Sequence, residues 1–336
     1  MRRLLKNNEY KILEALVSAT QEKLFKNMVH FLQQNYEQVT VADDYVYAIG
    51  DIPIALIAHL DTVHRTPVRD LYYDQSKGVL WSPEGIGADD RAGVFAILNI
   101  IKNGLKPSVI FTKDEEQGGL GASSLAEKPC PFPGLKYMIE LDRRGWTDCV
   151  FYDCGTEDFI KYIESFGFKK SWGSFSDISF LAPAWDICAV NLSIGYYDEH
   201  SISEILCIEP LFETIEKVKT MLKQTDIPTF LYEDEIRSYL PHNRCGFGGW
   251  WEDYPSDFNP TRILTCSQCG DKSYEYEMIP VKGLDGTTKF YCPDCYSNNQ
   301  KIDWCSICYE AYEVGEDNIT RICKDCLGEL LNDTDY

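Results

Sequence analysis

Nowhere in the 336 residues is there an uninterrupted apolar run of about 18, which excludes a membrane-spanning helix. Positive charge is scarce: 32 Lys and Arg stand against 53 Asp and Glu, for a formal net charge of −21. A chain this acidic repels phosphate backbones, so no nucleic-acid partner is expected. The start, MRRLLKNNEYKILEAL, lacks both a continuous apolar stretch and a small-residue cleavage site. It reads as an amphipathic helix and not as a secretory signal, so a cytoplasmic location is expected. No repeat at a solenoid period occurs; the one recurrence is a C-x-x-C pair, found four times near the C-terminus.

What is present fits one sizeable α/β core plus a smaller module. Ile12, Leu13, Leu16 and Val17, then Leu24, Phe25, Met28, Val29 and Leu32, lie at helical spacing. They predict helices over 1–35, with Ser18 and Gln21 as a capping box between them. From about residue 38 strands take over. The continuous apolar run at 54–58 is what a strand buried on both faces requires. Shorter runs follow at 109–111, 137–139 and 187–190, alternating with helical stretches at 91–102, 157–166 and 210–223.

The predicted fold class is therefore α/β, a mostly parallel central sheet with helices on both faces, over residues 1–225. Such sheets bind ligands beyond the carboxyl ends of their strands. Residues 226–260 hold seven acidic and two basic residues, four prolines and the aromatics Trp250, Trp251, Tyr254 and Phe258. They read as an acidic aromatic linker, or an arm packed on a neighbour. Residues 261–336 form a cysteine-rich module.

Candidate ligands collect at the predicted strand ends. His59 and Asp61 follow the first buried strand, where a carboxylate can orient a metal-binding imidazole. Asp89 and Asp90 sit among small residues before a helix, a position equally suited to an N-cap. Asp114, Glu115 and Glu116 close another strand, and three adjacent acids repel one another unless cations neutralise them or solvent screens them. Glu140 and Asp142 leave a third strand, with Asp142 at its end, and His200 precedes a helical segment. Taken singly, each has an ordinary surface or capping explanation. Their joint occurrence along one sheet edge points to a shared site.

The motifs HLDTV, GADDRAG, DEEQGGLGA, ELD and EHS, spread over roughly residues 40–224, resemble those of the co-catalytic di-zinc exopeptidases. That family includes bacterial leucyl aminopeptidases, tripeptidases and carboxypeptidase G-like enzymes. The resemblance implies that His59, Asp89 and Asp142 hold one metal, and that Asp89 bridges to a second held by Glu116 and His200. It implies further that Asp61 orients His59 and that Glu115 is the general base and acid. Asp142, where carboxypeptidase-like members more often carry Glu, resembles the aminopeptidase branch. Only 29 residues separate His59 from Asp89 and 57 separate Asp142 from His200, which resembles the compact, lidless members. The implied function is hydrolysis of small peptides by metal-activated water, with two zinc ions and manganese or cobalt as alternatives. An inactive peptidase-like scaffold and a deacylase of a non-peptide amide are the competing readings. Asp177, Arg143 and His64 read as surface or supporting groups rather than substrate contacts.

In the C-terminal module, Cys266, Cys269, Cys292 and Cys295 have 22 residues between pairs, and Cys305, Cys308, Cys323 and Cys326 have 14. Each set can supply four thiolates to a structural zinc. A 76-residue acidic tail otherwise has little to fold around. Consecutive pairing would give zinc ribbons and alternate pairing a cross-braced module. With seven basic and fourteen acidic residues, the tail suits a protein partner or a purely structural role.

Overall fold

Alternate residues of the run at 54–58 face opposite helical layers: Ile54, Leu56 and Ala58 join one core, Ala55 and Ile57 another. Burial on both faces explains why that run has no polar member. The structure is a computed structural model that describes residues 3–64, 66–173, 175–230, 232, 263–274, 278–285, 287–292, 295–296, 299, 301–304 and 311–314. The chain divides into two compact units, 1–250 and 251–336.

The first unit opens with helices α1 (Asn7–Val17) and α2 (Gln21–Asn35), then strands β1 (Gln38–Val41), β2 (Tyr45–Ile49) and β3 (Ile52–His59). Next come β4 (Tyr72–Asp74), β5 (Val79–Trp81), α3 (Ala88–Lys102), β6 (Pro107–Thr112), α4 (Leu120–Ala126) and β7 (Tyr137–Arg143). The series continues with β8 (Asp148–Val150), α5 (Glu157–Glu164), β9 (Lys169–Lys170), α6 (Ile178–Trp185) and β10 (Ala189–Ser193). It closes on β11 (Tyr196–Tyr197), β12 (Ile205–Cys207) and α7 (Ile208–Leu222).

Eight strands form the main sheet in the order β1-β2-β6-β3-β7-β10-β8-β9. The centre, β6-β3-β7-β10, is parallel throughout, and β2 and β8 flank it antiparallel. The predicted mostly parallel sheet with helices on both faces is what the chain adopts. Register fixes the site: His59 pairs with Thr112, and Ile57 with Glu140, so His59 and Asp142 reach the same level. The 57 residues between Asp142 and His200 supply β8, β9 and β10 to this same sheet. A second, antiparallel sheet, β11-β12-β5-β4, carries the segment after His200.

Two local expectations are corrected. The cap of α2 is Thr20, whose hydroxyl accepts from Lys23 N at 3.3 Å, because α1 runs on to Val17 and uses Ser18 as its C-cap. His200 is followed first by β12 and only then by a helix, α7.

Of the stretch 226–260, Ile227, Phe230 and Tyr232 pack on the first unit, with the Phe230 ring 4.9 Å from that of Phe159. Trp250, Trp251, Tyr254 and Phe258 lie outside the described residues. The second unit holds the hairpin β13 (Ile263–Thr265) and β14 (Lys272–Tyr274). It also holds β15 (Ile279–Lys282), β16 (Thr288–Tyr291), β17 (Ile302–Trp304) and β18 (Ala311–Glu313), in the order β16-β15-β18-β17. Its described core is small, centred on Cys266, Met278, Val281, Tyr291 and Ala311. No described helix is long and apolar enough to cross a membrane.

Candidate metal centre

Asp89 and Asp90 part company at the start of α3. Both have non-helical backbone angles, and the peptide between them is cis. Asp90 turns inward as the cap, accepting from Gly93 N at 2.8 Å and from His59 N at 3.3 Å. Gly93 is required there, since a Cβ would lie 2.3 Å from Leu141 O and 2.5 Å from Asp90 Oδ1. Asp89 is thereby left to face the strand ends.

Asp89 presents one oxygen to each of two histidines: Oδ1 lies 3.1 Å from His59 Nε2, and Oδ2 lies 3.2 Å from His200 Nε2. His59 Nε2 is also 3.5 Å from Asp142 Oδ1, and His200 Nε2 is 3.0 Å from Glu116 Oε1. Glu116 Oε1 is buried, and the His200 imidazole is the charged group against it among the described residues. His59, Asp89 and Asp142 form one cluster of mutually close donor atoms, and Asp89, Glu116 and His200 a second.

The loop bearing the acids is held from behind. Asp61 contacts His59 Nδ1 at 3.2 Å and accepts from the backbone N–H groups of Glu115 (3.0 Å) and Glu116 (2.9 Å). One carboxylate thus fixes the imidazole and both glutamates. Gln21, at the start of α2, grips Asp114 with both ends of its amide, at 2.8 and 3.1 Å. Buried Arg91 donates to Leu60 O and, at 3.2 Å, to Ala19 O, tying the α1–α2 junction to the His59–Asp61 segment.

Charge in this pocket is out of balance. Burial and repulsion from Asp89 raise the Asp142 carboxyl to about 7. Burial raises Glu115 well above the usual carboxylate range, with Asp142, Asp177 and Glu116 adding to it. His200 is pushed up to about 11 by its contacts with Asp89 and Glu116. Burial alone would lower His59, but Asp142, Asp61 and Asp89 outweigh it and raise it. Crowded, buried carboxylates thus hold protons that neighbouring positive charge would displace.

His59, Asp61, Asp89, Glu115, Glu116, Asp142 and His200 all converge, as the sequence led one to expect. Several supporting groups were not foreseen. Asn191 accepts from Asp142 N and donates to Asp142 O, while Tyr196 and Ser176 hydroxyls donate to the Asp142 carboxylate. Asn191 could have been noticed as a polar residue inside the strand AVNLS. Asp177 is fully buried and accepts from the Thr112 hydroxyl, and Arg143 donates to Trp172 O. His64 touches Glu204, another buried carboxylate with no sequence pattern to mark it.

In the second unit, Cys266, Cys269, Cys292 and Cys295 bring their sulfurs within 4.8 Å of one another. The first two pairs thus associate consecutively, and not in the cross-braced manner. Burial opposes ionisation of Cys266, but the N–H groups of Cys269, Cys292 and Gln268 bring it down to about 6. Cys305, Cys308, Cys323 and Cys326 lie outside the described residues.

Residues 18–166 match peptidase family M28, a segment that includes every converging residue except His200. No protein of curated function matches the sequence. A tripeptidase structure from Staphylococcus aureus is 13% identical with a TM-score of 0.53, the alignment covering 66% of this chain and 99% of that one. A TET aminopeptidase structure from a marine-sediment thaumarchaeon is 12% identical with a TM-score of 0.52, covering 66% and 98%. At such identities the likeness is one of fold. By sequence over residues 18–166 the chain is similar to peptidase family M28, and over about two thirds of its length it is similar in fold to the tripeptidase and aminopeptidase structures.

Proposed function

We propose that the chain is a di-metal aminopeptidase of small peptides. The observation that carries this reading is the placement of Asp89, with one oxygen turned to each of two histidines. His59, Asp89 and Asp142 would hold one cation, and Asp89, Glu116 and His200 the other. Imidazole and carboxylate donors in this mixture suit zinc, with manganese or cobalt as alternatives. The burial of Glu116 Oε1 beside His200 fits a metal ligand better than a surface acid. When bound, such a pair of cations lowers the pKa of a shared water and polarises the scissile carbonyl.

Glu115 supplies the proton transfer. Its Oε2 stands 3.9 Å from His59 Nε2, beside the proposed first cation, and its burial favours the protonated form. Its carboxylate form, which cations bound beside it would restore, would then take the proton of the attacking water and return it to the departing amine. Asp61 keeps the second nitrogen of His59 occupied, which fixes the ring for ligation.

Replacing Glu115 by Gln tests the chemistry. Metal content is expected to stay at the wild-type level while hydrolysis of amino-acyl amides is lost; retained hydrolysis would remove Glu115 from the mechanism. A panel of amino-acyl and N-acyl substrates separates an aminopeptidase from a deacylase, and turnover of neither favours a scaffold. In the C-terminal unit, Cys266, Cys269, Cys292 and Cys295 are proposed to hold a structural zinc, and Cys305, Cys308, Cys323 and Cys326 a second. The acidic unit is then a platform for a protein partner. A cytoplasmic setting, where thiols stay reduced, is proposed with it.

A further inference from the structure

The sequence singled out EHS for its histidine, but the residue that ties that loop to the rest of the site is four positions on. Glu204 has a side chain only 1% exposed, and every contact it makes is with the Asp89 loop or its support. Oε1 accepts from Asp89 N at 2.9 Å. Oε2 accepts from Gly87 N at 2.7 Å and from His64 Nε2 at 3.1 Å. A carboxylate this deeply buried, taking three donors, is a structural commitment.

Its position decides what the commitment does. The second cluster draws Asp89, Glu116 and His200 from three different loops, and Glu204 joins two of them, those of Asp89 and His200, directly. The His200 loop is unfavourable on its own, with Asp198 at φ 55 and His200 at φ 60, left-handed angles that residues with side chains rarely adopt. Inside the loop, Glu204 N donates to Ser201 O at 3.3 Å, closing a turn directly after His200. At the far end of the carboxylate, His64 is wedged against glycine backbone. A Cβ on Gly85 would lie 2.1 Å from the His64 ring, so only glycine leaves the ring its place.

We infer that Glu204, braced by His64, is a positioning residue that sets the distance between Asp89 and His200 and so selectively supports the second cation. The inference rests on the di-metal reading. The first cluster has its own brace in Asp61, so the two cations should respond unequally to loss of Glu204.

The test is a Mn2+ titration of the full chain, with zinc left on the cysteine sites, followed by electron paramagnetic resonance. Wild type is expected to take up two ions and to show the spectrum of a magnetically coupled pair. Glu204→Gln is expected to bind the first ion as wild type does and the second about 10–100-fold more weakly, the usual loss when a supporting partner of a ligand is removed. At one Mn2+ per chain its spectrum would be that of an isolated ion, and the coupled-pair signal would appear only at the higher concentration that fills the weakened site. His64→Gln, which keeps an N–H donor, should bind both ions as wild type does, and His64→Leu, which removes it, should repeat the loss at the second site. Unchanged binding of both ions in Glu204→Gln overturns the inference. So does an equal loss at both sites accompanied by a lower melting temperature of the metal-free protein, which would mark a merely structural role. A wild-type chain that takes up no pair of ions overturns the di-metal reading itself, a result distinct from either.

Discussion

Two adjacent aspartates do different work because one is consumed by the helix start and the other is freed by it. Asp90 caps α3 and reaches His59 N, while Asp89 keeps both oxygens for the site. Gly93→Ala should disturb this division, since its Cβ would collide with Leu141 O and Asp90. A loss of about 1–3 kcal/mol is expected by urea denaturation; an unchanged midpoint would mean that the close approach is not needed. The raised pKa values yield a second expectation. The Asp142 carboxyl, ordinarily 3.8, sits at about 7, and His200, ordinarily 6.5, at about 11. In the metal-free fold each holds a proton that the unfolded chain gives up more readily. The stability each lends is full below its ordinary value and lost as pH rises, through about 7 for Asp142 and about 11 for His200. Cations displace those protons, so uptake near pH 6 should release at least about one proton, and affinity should climb with pH. Calorimetry in two buffers of different protonation enthalpy measures the release; none would contradict the proposed ligand set.

At the scale of elements, the N-terminal helices prove to be part of the site's frame. Thr20 caps α2, and the next residue, Gln21, clamps Asp114 beside the glutamate pair. Thr20→Ala should cost about 1 kcal/mol, as loss of an N-cap does. Ser18→Ala should stay within about 0.5 kcal/mol. Thermal melts of the two variants compare the caps directly; the reverse order would restore Ser18. The same elements show what could be read from residues alone. Strands β3, β6, β7 and β10 were legible because burial on both faces leaves an unbroken apolar run. Strands β4, β5, β11 and β12 were not, since runs of two or three residues carry no measurable period. Helix α6 was hidden by Pro183 inside it. The proposed ligands announced themselves by chemical type at strand ends. Glu204 did not, because a single acid in a loop resembles any solvated one until the backbone amides it accepts are seen.

For the whole molecule, the two units are expected to depend on metal in different ways. The first buries a broad two-sided core around its sheet and has that core without any cation. Among the described residues the second has five in its buried cluster, one of them Cys266, and the proposed thiolate site is expected to add to what holds it. Zinc analysis of the full chain should return about four per molecule, two at the peptidase centre and two on cysteine. A strong chelator should then abolish the unfolding transition of the second unit and leave that of the first. A single transition unaffected by chelation would argue against structural zinc. The centre itself is tested most directly by anomalous diffraction at the zinc edge from crystals of the metal-loaded protein. Two peaks are expected on either side of the Asp89 carboxylate, one beside His59 and Asp142 and the other beside Glu116 and His200. One peak, or none, at that carboxylate would contradict a shared bridge and with it the di-metal hydrolase.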